Sequence, residues 1–243
     1  MTRTPLFLAA FVTLLLGAAP ALWAGEAEDI ATIKQRLSQI IPNDQPDVVR
    51  PTPLAGLYEV IYGGQIFYVT ADGRYLIEGD LLDLQKMVNL TERTRKGQRK
   101  AVLERLDEDD MIVFRPQGAV KHVVTVFTDV DCGYCRKLHR EMDQYLNRGI
   151  EIRYLAFPRS GKFTESYYKA VSAWCAKDRQ AALTRAKQGE KLPRAQCDNP
   201  VDEHMAAARM VGVSGTPTLL LEDGEMITGY VPADRLAQML DGR

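Results

Sequence analysis

Cys132 and Cys135 bracket two residues in Cys132-Gly133-Tyr134-Cys135, a pattern with few chemical uses. The thiolate is the reactive form of cysteine, and a second thiol one helical turn away can close a disulfide onto it. Ahead of the motif, His122 to Thr128 is a β-branched, apolar run that reads as a buried strand. Behind it, Leu138, Met142, Tyr145 and Leu146 fall on one helical face, and Gly149 ends the pattern. The motif therefore opens a helix, where unpaired N–H groups and the positive end of the dipole stabilise a thiolate. Cys132 takes the place of a nucleophile with a lowered pKa. Cys135, one turn further in and more buried, takes that of a resolving thiol. Gly133-Tyr134 holds no proline to stiffen the turn, and Tyr134 offers a polar tip to the sulfur.

The other two cysteines lie downstream, Cys175 in Ala173-Trp174-Cys175-Ala176 and Cys197 ahead of Asp198-Asn199-Pro200. They read as a structural disulfide closing a helical segment, which the loop-entropy account makes worth about 3 kcal/mol. A second redox pair is an alternative that lacks an activating helix start. A four-cysteine zinc site is another, but Cys175 and Cys197 form no second Cys-x-x-Cys knuckle, so no metal is expected. Gly215-Thr216-Pro217-Thr218 suggests a fixed turn before a strand, open to a cis peptide. From these residues alone, an ordinary proline at a strand start is the plainer account.

The elements that must hold these groups follow from periodicity. Ile150 to Phe157 is a second strand, and strand, helix, strand implies a parallel pair. Thr164 to Gln188 and Val201 to Val211 read as helical. Thr218 to Leu221, the turn Asp223-Gly224, a strand from Glu225 to Thr228 and a helix begun by Pro232 close a thioredoxin-like outline with inserted helices. Upstream, Glu28 to Ile41 reads as an amphipathic helix with Ile30, Ile33, Leu37, Ile40 and Ile41 on one stripe. A three-strand meander follows: Leu57 to Tyr62, Gln65 to Thr70 and Tyr75 to Glu78, split by Gly63-Gly64 and Asp72-Gly73. An α+β unit under about 70 residues is marginal alone, and pairing with a second copy is a common remedy. Between the units, Arg93 to Lys100 is basic and Glu104 to Asp110 acidic, which reads as a solvated linker, helical in its second half around Val102, Leu103 and Leu106. That charge order opposes the helix dipole.

Arg3, the apolar run Leu6 to Leu16 and the small residues Ala18, Ala19, Ala21, Ala24 and Ala27 have the layout of a secretory signal peptide. A retained anchor from Leu6 to Ala24 is the alternative. Export gives the cysteines an oxidising setting. With 31 basic and 32 acidic residues, nothing in the charge favours nucleic acid as a partner.

The stretch Lys121 to His139 resembles the DsbC/DsbG family of periplasmic protein-disulfide isomerases. So do Arg153 to Arg159, Trp174-Cys175-Ala176-Lys177-Asp178 and Gly212-Val213-Ser214-Gly215-Thr216-Pro217. The resemblance is specific from about Met111 onward and weaker upstream. It implies an α+β chain: a cleaved signal peptide (1–25), a cystatin-like helix-plus-meander dimerisation domain (26–90), a linker helix (91–110) and a thioredoxin-like catalytic domain with a helical insertion (111–243). It implies a V-shaped homodimer in the periplasm, without cofactor, acting on unfolded or misoxidised exported proteins and kept reduced by a DsbD-type membrane reductase. It also implies that Pro217 is cis, with Thr216 beside Cys132 and Cys135. An apolar cleft between the two copies would add chaperone activity. A DsbA-type oxidase and a DsbG-like chaperone with little redox turnover are the rival activities. Two positions bear on the redox poise. Asp131 either opposes the thiolate or caps the helix, and Val126 stands where thioredoxins keep a buried Asp, so that carboxylate relay is absent.

Overall fold

The computed structural model describes residues 22–42 and 44–242, so most of the expected signal segment lies outside the described residues. Among the described residues no helix is long and apolar enough to cross a membrane. The chain divides into two compact units, one of residues up to 61 with 67–77, the other of 62–66 with 78 onward.

The first unit is a helix on a sheet. Helix α1 spans Leu22–Ile40, and strands β1 (Val48–Pro51), β2 (Leu57–Tyr62), β3 (Gln65–Thr70) and β4 (Leu76–Ile77) form a sheet in that order. The meander thus has a fourth strand that the periodicity did not reveal. β1 ends in proline and carries the outer register Val48 to Ile61 through Pro51 to Tyr58, an edge position that tolerates a missing N–H. Ile33 and Leu37 pack on Tyr58, Val60 and Val69, and the Tyr58 hydroxyl donates to Asp29 at 2.7 Å. Ile40 and Ile41, expected on the buried stripe, are exposed within this chain.

Next come the short hairpin strands β5 (Leu82–Asp83) and β6 (Val88–Asn89), then helix α2 (Leu90–Leu103) and a 3-10 turn at Glu108–Asp110. The helical part of the charged segment is therefore its basic first half, not the second half as expected. Capping explains the difference. The Asn89 side chain accepts from Glu92 N–H, Glu92 complements the positive helix start, and Arg99 pairs with Glu92 at 2.6 Å. Lys96 reaches Asp223 at 3.2 Å and Glu225 at 2.8 Å.

The second unit continues with β7 (Ile112–Phe114), β8 (His122–Thr128), α3 (Gly133–Arg140), α4 (Met142–Leu146) and β9 (Ile150–Ala156). Helices α5 (Glu165–Trp174), α6 (Arg179–Gln188) and α7 (Val201–Met210) follow, then β10 (Thr218–Leu221), β11 (Met226–Thr228) and α8 (Ala233–Asp241). The sheet order is β11-β10-β8-β9-β7, with β8 and β9 parallel and the other pairs antiparallel. Alternation along the strands feeds two cores. Val124, Val126, Ile150, Ile152 and Tyr154 face the side packed by Leu138, Tyr145, Trp174 and Leu183. Phe127, Leu155 and Leu220 face Ala207 and Ala208 of α7 and Val211 just after it. The expected single helix after the motif breaks at Glu141, whose carboxylate is held by Lys137 and the Tyr230 hydroxyl. The stretch from Thr164 to Gln188 breaks after Trp174, because Asp178 starts a new helix by accepting from Ala181 N–H.

Gly224, in the β10–β11 turn, has φ +81°, and a Cβ there would run into the Lys96 carbonyl of α2. Gly224→Ala is expected to cost about 2–4 kcal/mol, from left-handed backbone strain and overpacking together. Denaturant unfolding measures it, and an unchanged midpoint would show that α2 yields to the turn.

Candidate active site

Strand β8 ends at Thr128, and the chain turns through Asp129, Val130 and Asp131 before Cys132 becomes the N-cap of α3. The turn is held by one carboxylate. Asp129 accepts from the Ser166 hydroxyl at 2.6 Å, Asp131 N–H at 2.9 Å, and the Arg159 backbone and guanidinium at 3.1 and 3.2 Å. Burial alone would raise the Asp129 carboxyl, but these donors hold it below the usual range.

Cys132 makes no side-chain cap, so the first N–H groups of α3 are left for its sulfur. Cys132 and Cys135 are both free thiols, 3% and 1% exposed. The Cys132 thiol donates to the Thr216 carbonyl at 3.2 Å, and the Thr216–Pro217 peptide is cis. Burial pushes the Cys132 thiol up. The nearby Thr216 side chain, the Cys135 N–H and thiol and the Tyr134 N–H outweigh it, and the pKa falls below the ordinary thiol value. Cys135 is shifted the other way. Burial dominates there and raises it, although Lys187, the Asp129 N–H and the hydroxyls of Thr128 and Thr216 pull against it. One thiol is thus prepared to ionise and its neighbour is held protonated.

Cys132, Cys135, Thr216 and Pro217 are therefore brought together. Gly133 is exposed, with open space where a side chain would stand. Tyr134 departs from expectation: it is exposed, its ring stacks on Tyr230 with centroids 6.4 Å apart, and only its backbone N–H serves the sulfur. Cys175 and Cys197 are joined in a disulfide, from the end of α5 to the loop before α7.

Asp131 does not cap the helix. Its carboxylate binds Arg136 at 3.0 Å and Lys169 of α5 at 2.9 Å, so two cations offset its charge beside the thiol. Asp131→Asn is expected to leave those cations acting on the thiolate alone. Alkylation of Cys132 at a pH below its own titration should then speed up by about threefold; a slower rate would show that Asp131 orders the turn instead.

Sequence patterns missed the groups that α5 and α6 bring to the motif. Lys187 is 3% exposed, and its ammonium donates to the Thr128 hydroxyl at 2.7 Å. A signal existed: Lys187 lies four residues after the buried Leu183, on the same helical face.

Comparison with known proteins agrees with this geometry. Residues 24–92 match the disulfide bond isomerase protein N-terminal domain, and residues 108–242 match a thioredoxin-like domain. The chain is 37% identical over 225 residues to the thiol:disulfide interchange protein DsbC of Escherichia coli, covering 91% of this chain and 92% of that protein. It is 38% identical over 224 residues to DsbC of Salmonella typhimurium, covering 91% of each. A disulfide interchange protein from Neisseria gonorrhoeae superposes with a TM-score of 0.50 at 30% identity, covering 56% of this chain and 97% of that structure. Carrying both domains in this order, at 37% identity over 91% of its length, the chain belongs to the DsbC family of thiol:disulfide interchange proteins.

Proposed function

We propose that the chain isomerises or reduces mispaired disulfides in exported proteins, with Cys132 as nucleophile and Cys135 as resolving thiol. The observation that carries this reading is the opposite shift of two buried thiols at one helix start, Cys132 down and Cys135 up. The Cys132 thiolate attacks a substrate disulfide, forming a mixed disulfide and releasing one substrate thiolate. Attack by a different substrate thiol on the substrate sulfur then frees Cys132 with a new substrate pairing and no net redox change. Attack by Cys135 on Cys132 instead leaves the protein oxidised and the substrate reduced, and that branch requires a reductant, assigned here to a DsbD-type membrane protein. The cis turn at Thr216–Pro217 lies beside the thiols, where Gly133 leaves room and Tyr134 is exposed, which suits docking of a substrate segment.

The remaining assignments follow the same reading: a periplasmic protein with a signal peptide at 1–25, a dimerisation domain at 26–90, a linker at 91–110 and a catalytic domain at 111–243. The first unit exposes Ile40, Leu54, Tyr75, Leu76 and Ile77, an apolar set suited to pairing with a second copy. The cleft so formed would hold unfolded chains and give chaperone activity. The test is refolding of a scrambled multi-disulfide protein, with thiol trapping in cells. Catalysed recovery of native pairing and a resting reduced dithiol are expected; a resting disulfide would favour an oxidase.

A further inference from the structure

We propose that Lys187, acting through the Thr128 hydroxyl, takes the proton from Cys135 in the resolving step. This rests on the assignment of Cys135 as resolving thiol. The problem it answers is set by burial. Cys135 is 1% exposed, so no bulk water reaches its proton, and a neutral thiol is a poor nucleophile. Val126 leaves the strand without a carboxylate to do the work.

Lys187 is the basic group placed behind it. Its Nζ binds Thr128 Oγ1 at 2.7 Å in a fully buried contact, and the Thr128 side chain and Lys187 are both among the groups that pull the Cys135 thiol down against burial. A hydroxyl both donates and accepts, so it can pass a proton from sulfur to nitrogen in one concerted exchange. The ammonium also lies 5.1 Å from the centre of the Tyr154 ring, which welcomes a cation. Lys187 sits in the last turn of α6, where the helix dipole favours positive charge.

The charged and titratable groups around Lys187 are Cys135, Cys132, Arg136 and His139 of the α3 segment, Asp129 of the preceding turn and Tyr154 of β9. Burial pulls Lys187 down to about 8, with Cys135, Asp129 and Cys132 holding it up and Arg136 opposing. His139 is driven to about 3, by burial first and Lys187 second, so it stays neutral and does not compete for the proton. An amine with this pKa is partly unprotonated at neutral pH, which a base requires.

The step balances as follows. In a mixed disulfide, the Cys135 S–H bond breaks and its proton passes through Thr128 to the Lys187 amine. The sulfur's electron pair forms the Cys135–Cys132 bond, the bond from Cys132 to the substrate sulfur breaks, and the substrate leaves as a thiolate. The dithiol is oxidised and the substrate disulfide reduced.

Stopped-flow reaction of the reduced full chain with the aryl disulfide dithiobis-nitrobenzoate separates the events. The first coloured thiolate reports attack by Cys132, and the second reports resolution by Cys135. Lys187→Met is expected to slow the second release by about tenfold or more and to move its pH profile upward, with a much smaller effect on the first release. Thr128→Val, which keeps the lysine, should slow the second release as well, and it decides the matter if the Met variant does not fold. An unchanged second release in either folded variant, or a parallel fall of both releases, overturns the proposal. Absence of the first release in the unmodified chain would instead overturn the assignment of Cys132.

Discussion

Cys132→Ser is expected to reduce disulfide isomerisation below about one-thousandth of the unmodified rate, because a hydroxyl at this place is a far weaker nucleophile and leaving group than a thiol. Everything that favours a thiolate converges on this one atom: the N–H groups of Tyr134 and Cys135, Thr216 and the start of α3. Cys135→Ser should behave differently. It keeps the attack and the exchange between substrate thiols, but loses the intramolecular release, so mixed disulfides accumulate and appear on non-reducing gels. An active Cys132→Ser variant beside an inactive Cys135→Ser variant would reverse the two roles. The shifts of the two thiols argue against that outcome, since burial holds Cys135 protonated.

Replacing both Cys175 and Cys197 with alanine should lower the stability of the second unit markedly. The bridge closes a sequence separation of 22 residues, for which chain entropy gives about 3 kcal/mol. That amounts to a fall of roughly 6–12 °C in the melting temperature of the second unit. The first release from dithiobis-nitrobenzoate should survive at temperatures where the variant remains folded. Its loss there would instead favour the reading of Cys175 and Cys197 as a second redox pair.

Local pattern made much of this molecule legible. The run from His122 to Thr128, the Cys132 motif, the apolar face through Leu138 and Tyr145, and the Gly149 stop are each contiguous signals, and together they specify the β8–α3–β9 unit. β1 and β7 were not legible, because three or four residues at a sheet edge carry too little alternation. The extent of α2 was misjudged for another reason. Its basic run looks unfavourable until Asn89 caps it and Lys96 meets Asp223 and Glu225, 127 and 129 residues away. The partners of the active cysteines divide in the same way. Thr216 and Pro217 belong to a recognisable sequence, whereas Lys169 resembles any other surface lysine and Lys187 is marked only by sharing a helical face with Leu183.

Those last contacts bear on how such a domain can be altered. Ser166 and Lys169 of α5 hold the carboxylates of Asp129 and Asp131, Thr184 of α6 holds His139, and Lys187 holds Thr128. Part of the setting of the two thiols is therefore supplied from a part of the chain that looks like an ornament on the sheet. A chimera that transplants only the strand, the four-residue motif and its helix into another thioredoxin-like scaffold would carry the sulfurs without their electrostatic setting. The smallest transferable block of this chemistry runs from β8 through α6 and also needs the Thr216–Pro217 turn.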